Sequence, residues 1–338
     1  MTSLLHVQDL HVTYRTEGGD VPAVRGVDLS LDPGDTLGLA GESGSGKSTV
    51  ALALLRLLPA TARTEGSILM EGEDVLGMRW GRLRAVRWVG ASVIFQGAMH
   101  SLNPVRRVGE QIAEPMEIHG TAKGPAAKER VTDLLRQVGL PPSRAGDYPH
   151  QLSGGQRQRV MIAMALACEP RLIIADEATT ALDVMIQAQI LDLLRSLVAD
   201  HGIGMLMISH DLSVLAQTCD RVGIMYAGRV VEEGPAAQVV HEPAHPYAGA
   251  LSAAFPTIGD PASRLAPRGL PGDPPDPADP PTGCVFRPRC PVTEEVCATL
   301  DPPLWPVGPD EHGDSDRHAA CVRVGPERPL TTAGGTTP

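Results

Sequence analysis

The nine residues 41 to 49, GESGSGKST, constrain this chain more than any other stretch. They follow the short apolar run TLGLA and lead into VALALLRLL, so a buried strand hands over to a helix through Gly and Ser. Glycine weakens regular structure, and a loop this rich in it is backbone that must turn tightly around something. In the pattern G-x-x-x-x-G-K-[ST], Gly41 and Gly46 let backbone N–H groups point inward, and the helix beginning near Lys47 adds the positive end of its dipole. The enclosed object is then a nucleotide phosphate. Glu42, Ser43, Gly44 and Ser45 complete the loop, Lys47 reaches the terminal phosphates, and Ser48 and Thr49 open the helix with the Ser48 hydroxyl on magnesium.

A chain of 338 residues exceeds one compact core and predicts a main domain with an appendage. Its formal charge of -11 disfavours a general nucleic-acid binder, because phosphate backbones are held by basic surfaces. No apolar run reaches the length of a bilayer span; VALALLRLL is broken by Arg56. The start, MTSLLHVQDLHVTY, has neither a basic leader nor a long apolar core, so the expectation is a cytoplasmic protein.

Up to about residue 255 strand-like and helix-like runs alternate, whereas from 256 onward proline and glycine dominate, as in GDPPDPADPPTG. The expected division is therefore 1–255 and 256–338. HVQDLHVTY alternates with period two and predicts a half-buried strand; TLGLA, RLIIADE, GMLMIS and RVGIMYA predict strands buried on both faces. Helical patterns such as VMIQAQILDLLRSLV follow several of them, which predicts an α/β P-loop fold with a largely parallel sheet. From about 97 to 170 strand runs are weak, and KERVTDLLRQVG and GQRQRVMIAMALA predict a mainly helical insertion. No internal repeat is visible, hence one nucleotide-binding unit per chain.

A phosphate loop of this kind needs a carboxylate at the end of a neighbouring strand, and LIIADE supplies Asp176 with Glu177 beside it. Asp176 is the candidate to help hold magnesium, and Glu177 to orient or deprotonate the water attacking the γ-phosphate. In LSGGQRQR, Ser153 can cap the following helix while Gly154 and Gly155 leave its first N–H groups open, a second anion site.

With GESGSGKST, LSGGQRQR and LIIADE in that order, joined by FQ at 95–96, ALD at 181–183 and SHD at 209–211, the sequence resembles the ATP-binding subunits of ABC transporters over about residues 4–255. That resemblance implies two such domains packed head to tail, each ATP lying between one subunit's P-loop and the other's signature helix. It implies that Ser153, Gly154, Gly155 and Gln156 serve the partner's nucleotide and that Tyr14 stacks on adenine. By the same resemblance, Gln96 is the expected sensor of magnesium and the attacking water, His210 the expected contact to the γ-phosphate that aligns Glu177, and Asp183 the expected residue communicating across the dimer. The cofactors implied are ATP and Mg2+.

SLNPVRRVGEQIAEP and HPYAGALSAAFP are similar to the branch that serves importers of dipeptides and oligopeptides, with nickel importers nearby. QGAMHSLNP departs from the commoner QDPMTSLNP of that branch. The resemblance implies a sister ATP-binding subunit, two transmembrane permease subunits and an extracytoplasmic peptide-binding protein, with this chain peripheral on the cytoplasmic face of the membrane. Soluble ABC ATPases of translation or DNA repair are the rival class, but paired units and long coiled coils are not seen here. A metal-sensing regulator is a further rival, disfavoured by the presence of Glu177 and His210.

The tail carries Cys284, Cys290, Cys297 and Cys321, spaced C-x5-C-x6-C-x23-C. This is wider than the close pairs of zinc ribbons, and spacing alone selects no metal. A disulfide framework suits a small proline-rich module but is disfavoured in a reducing cytoplasm; zinc held by the four thiolates or with His318 replacing one, a 4Fe-4S cluster, and unliganded structural cysteines remain open. Some members of the resembled branch carry such a cluster, which is the reading preferred here. Cys168 and Cys219 lie in helix-like segments as packing residues.

Overall fold

A computed structural model describes residues 3–95, 101–180, 182–254, 269–308 and 315–325. It is built around an eight-stranded mixed sheet, ordered β11-β12-β10-β9-β3-β8-β7-β6. The parallel centre consists of β3 (Thr36–Ala40), β6 (Ala91–Ile94), β7 (Leu172–Asp176), β8 (Gly204–Ile208) and β9 (Arg221–Tyr226). These strands are the continuous apolar runs of the sequence, and β3, β7 and β8 are buried at every position. Two cores explain that composition. Ile173 and Ala175 face one apolar cluster while Leu172 and Ile174 face the other, so the sheet is a layer between them.

Over one face lies a four-stranded antiparallel sheet, ordered β2-β1-β4-β5, from β1 (Leu5–Thr16), β2 (Gly19–Leu31), β4 (Ala62–Met70) and β5 (Glu73–Asp74). The alternation expected for β1 is interrupted at Asp9, where φ is 48° and the register shifts between Val7 and Leu10. The extra residue returns Leu10 and Val12 to the core, both fully buried.

Helices fill the connections. They are α1 (Lys47–Leu54), α2 (Trp80–Val89), α3 (Val108–His119), α4 (Gly124–Gln137), α5 (Gly154–Leu166), α6 (Val184–His201), α7 (Leu212–Thr218), α8 (Ala236–His241) and α9 (Pro246–Ala254). Between β6 and β7 the described chain is helical: α3, α4, two short 3-10 turns and α5 pack on one another. No helix among the described residues is long and apolar enough to cross a membrane.

The proline-rich tail does not hang free of this core. β12 (His318–Ala319) pairs antiparallel with β10 (Arg229–Pro235), and β11 (Trp305–Pro306) pairs with β12, so the tail covers an edge of the central sheet. The latch is Glu232, fully buried in β10. Its carboxylate accepts the Ala244 N–H at 3.0 Å, the His245 N–H at 2.7 Å and the Arg317 Nη2 at 2.8 Å. Burial raises the pKa of Glu232, and the two amides and the guanidinium oppose that shift. Breaking such a buried pair costs about 3 kcal/mol, because one charge is left without its partner. Arg317→Ala is therefore expected to release the tail: limited proteolysis should cut between residues 269 and 325 well before the remaining chain, at protease levels that leave the unaltered protein whole.

Candidate functional site

The C-terminal ends of β3, β8 and β7 lie side by side, the position at which open α/β sheets gather ligand-binding groups. After β3 the chain enters the loop 41–46. Gly41 has φ +148°, and a Cβ there would sit 2.2 Å from the Met225 carbonyl oxygen. Gly46 has φ +103°, and its Cβ would sit 2.4 Å from the Ala23 carbonyl oxygen. No L side chain fits either place, so the glycines are required by backbone crowding as well as by dihedral angle. Gly46 is also the residue from which α1 starts.

Lys47 is buried against this loop. Its ammonium donates to the carbonyls of Gly41 at 2.7 Å and Glu42 at 2.9 Å and to the Ser45 Oγ at 3.2 Å. Burial lowers its pKa, while Glu177, Asp176 and Glu42 act to raise it. Its neighbour Ser48 donates its hydroxyl to Asp176 Oδ1 at 3.2 Å, across 128 residues of sequence. Asp176 is 8% exposed and its pKa is raised, chiefly by burial and also by Glu177, against the Ser48 hydrogen bond and Lys47. A hydroxyl and a buried carboxylate side by side are hard oxygen donors of the kind magnesium takes, and a cation there would offset the burial of Asp176.

Glu177 adopts φ +47°, which is uncommon for a residue of its size. Its N–H bonds to the Ile208 carbonyl at 3.0 Å, tying the turn after β7 to the end of β8. The carboxylate lies 3.5 Å from His210 Nδ1 and accepts the Thr180 hydroxyl at 3.1 Å. Thr180, which the sequence motif does not mark, is thus a partner of Glu177. Tyr14 OH is 3.3 Å from Thr49 Oγ1, so this ring stands beside α1 on the phosphate-loop side of the antiparallel sheet. Gln96 lies outside the described residues.

Lys47, Ser48, Asp176, Glu177 and His210 are therefore brought together. Ser153 and its neighbours belong to a different part of the molecule. Ser153 caps α5 in a reciprocal box: its Oγ accepts the Gln156 N–H at 3.3 Å, and Gln156 Oε1 accepts the Ser153 N–H at 3.0 Å. Gly155 is pressed onto α6, where a Cβ would meet Ile186 at 2.6 Å. Asp183 caps α6 by accepting the Ile186 N–H at 3.0 Å. Whereas α1 packs on β2 and β7, α5 packs on α3, α4, α6 and β6.

In the tail, Cys284, Cys290, Cys297 and Cys321 line one small cavity with His245 and Phe286. All are free thiols. Burial pushes the Cys321 thiol up to about 11, with the other three thiols adding to the shift. Among the described residues no group of three or more His, Cys, Asp or Glu is arranged as a metal site, so the four cysteines share the cavity without forming the expected centre. The sulfurs face a common space as separate thiols, and His318 instead pairs with Glu233 at 3.8 Å. Sequence reasoning also missed two residues at the phosphate loop. Arg289 forms a paired salt bridge with Glu42, and Tyr247 OH accepts the Glu42 N–H at 2.9 Å. The HPY run held the only signal, as a family marker without a stated role.

A family profile described as ABC transporter matches residues 24–180, and one described as oligopeptide/dipeptide transporter, C-terminal region, matches 231–297. A putative peptide import ATP-binding protein of Brucella ovis is 43% identical over 334 residues, covering 95% of this chain and 97% of its own. Another such protein, from Brucella abortus, is 45% identical over 302 residues, covering 88% and 90%. Among solved structures, a dimeric ATP-binding cassette in a post-hydrolysis state with ADP and phosphate aligns with TM-score 0.62 and 28% identity, over 69% of this chain and 98% of that one. CbiO1 of Clostridium perfringens, part of an ABC transporter complex, aligns with TM-score 0.61 and 28% identity, over 72% and 92%.

The loop geometry makes one substitution decisive. Gly46→Ala introduces strain on the order of 1–3 kcal/mol at its positive φ before the clash with Ala23 is counted. Titration with a fluorescent ATP analogue is expected to show binding weakened by roughly tenfold or more, since each 1.4 kcal/mol is a factor of ten. A variant that binds like the parent would mean that the loop relaxes freely.

Proposed function

The chain belongs to the ABC transporter family of ATP-binding proteins, and we propose that it is the ATP-hydrolysing subunit of an importer of dipeptides or oligopeptides. The observation that carries this reading is the meeting of Lys47, Ser48, Asp176, Glu177 and His210 at one end of the sheet, in a chain whose residues 231–297 match the oligopeptide/dipeptide transporter C-terminal region. Phosphoryl transfer asks mainly for positioning and charge neutralisation, and these residues supply both.

In this reading Lys47 and the amides of residues 41–46 grip the β- and γ-phosphates, and Tyr14 stacks on the adenine. Ser48 and Asp176 would hold magnesium, with Gln96 from outside the described residues; the ion supplies neutralising charge at the phosphate oxygens. Glu177 takes the proton of the attacking water, and His210, 3.5 Å away, keeps the carboxylate aligned. Ser153, Gly154, Gly155 and Gln156 serve the nucleotide of a sister ATP-binding subunit, and Asp183 carries state across that dimer. The positions of α1 and α5 on different packing surfaces support such a shared site. Residues 1–255 form the ATPase unit with a helical subdomain at about 97–170, and 256–338 form the tail. The assembly includes two permease subunits and receives cargo from an extracytoplasmic peptide-binding protein, with this chain peripheral on the cytoplasmic face of the membrane.

Glu177→Gln tests the catalytic assignment. It removes the base but keeps the shape, so the variant is expected to bind ATP, accumulate as a closed dimer in size-exclusion chromatography, and lose turnover by roughly a hundredfold or more. Brisk hydrolysis by that variant would take Glu177 out of the role.

We further propose that Cys284, Cys290, Cys297 and Cys321 hold a 4Fe-4S cluster. Supporting this is their shared cavity; burial raises the Cys284 and Cys321 thiols, and backbone N–H groups of Phe286 and Arg287 at Cys284 and of Arg323 at Cys321 act against that shift, as a thiolate ligand would need. Protein purified without oxygen is expected to contain iron and acid-labile sulfide and to lose both on Cys290→Ala. Stoichiometric zinc without iron would reassign the site.

A further inference from the structure

We propose that Arg289, in the cysteine-bearing tail, is a positioning residue of the ATP site, acting through Glu42 of the phosphate loop. Glu42 is held at three separate groups. Its carboxylate receives Arg289 Nη1 at 2.6 Å and Nη2 at 3.0 Å, a paired contact with the Arg289 side chain only 4% exposed. Its N–H goes to the Tyr247 hydroxyl at 2.9 Å. Its carbonyl accepts Lys47 Nζ at 2.9 Å. The first two anchors come from beyond β10 and the third from the nucleotide side, so Glu42 stands between the tail and the lysine that meets the phosphates.

The tail end of this contact is itself anchored. Arg289 Nε donates to the Pro271 carbonyl at 2.9 Å, Nη1 reaches Tyr226 OH at 3.3 Å, and the guanidinium lies 5.8 Å from the Tyr226 ring centre. Tyr226, Tyr247 and Phe286 pack ring to ring, with centroids 4.5 to 5.4 Å apart. Phe286 also lines the cysteine cavity, and Arg289 directly precedes Cys290. On the solvent side Pro274, Pro275 and Pro277 line one cleft with Glu42, Ser43 and Gly44. A bidentate guanidinium fixes a carboxylate in direction as well as distance, so the docked tail fixes the second residue of the loop. By linkage, whatever loosens the tail weakens nucleotide binding, and bound nucleotide tightens the tail by the same factor.

This inference rests on residues 41–49 being the ATP site, and the experiment separates the two. In the full chain assembled with its permease subunits, Arg289→Gln is expected to raise KM for ATP roughly fivefold or more. Asp176, Glu177 and His210 are untouched, so kcat should stay within about twofold, the signature of lost ground-state binding. Glu42→Gln cuts the same pair from the other side and should act alike if Arg289→Gln does not fold. The double variant should be no worse than either single one. In the parent, saturating MgATP should slow amide hydrogen exchange across residues 284–290, and in the variants it should not. An unchanged KM in a folded single variant, or additive losses in the double variant, overturns the proposal. Retention of nucleotide by Lys47→Ala would instead remove the ATP-site reading beneath it.

Discussion

The backbone path of residues 41–46 is the constraint on which the rest depends. Gly41 is wedged against the Met225 carbonyl at the end of β9, and Gly46 against the Ala23 carbonyl of β2. The Ser45 carbonyl accepts the Gly228 N–H at 3.0 Å, and the Gly228 carbonyl accepts the Arg25 N–H at 2.8 Å. The loop thus keeps its shape only while the antiparallel sheet and the central sheet are both in place. This gives the two-layer fold a chemical purpose in the proposed function: its seam sets the path of the loop whose amides would surround phosphate.

Much of the arrangement was legible in the sequence because the relevant signals are local. Runs such as LIIAD and GMLMI are apolar throughout because they are buried on both faces, and a glycine-lysine loop leaves few alternatives. The order of the strands is a different matter. The Ser48 to Asp176 contact exists because β3 and β7 flank β8, and no periodicity in either segment encodes that neighbourhood. Gln156 illustrates a half-readable case. Its place three residues after Ser153 is the spacing of a capping box, and the structure uses its side chain for that cap.

The tail was the least legible part. Its strands β11 and β12 are two residues long, too short for any alternation to register. Proline-rich composition predicted an appendage, yet fully buried Glu232 draws Arg317 and the start of the HPY helix to the same carboxylate. The decisive contact, Glu42 with Arg289, joins residues 247 apart. Composition describes what a segment cannot do alone; it is silent on charged groups that another domain will bury.

The same logic of shared anchors applies to α5 and α6. The reciprocal cap uses the side chains of Ser153 and Gln156 and engages the N–H groups of those two residues, not those of Gly154 and Gly155. Gly155 has no Cβ because Ile186 occupies that space, and the Ile186 N–H is itself held by Asp183. The tip of α5 and the start of α6 are therefore one packed unit. In the proposed shared site a phosphate drawn against Gly154 and Gly155 would load the same contact that fixes Asp183, so the residue at the turn into α6 would move with the helix tip rather than independently of it.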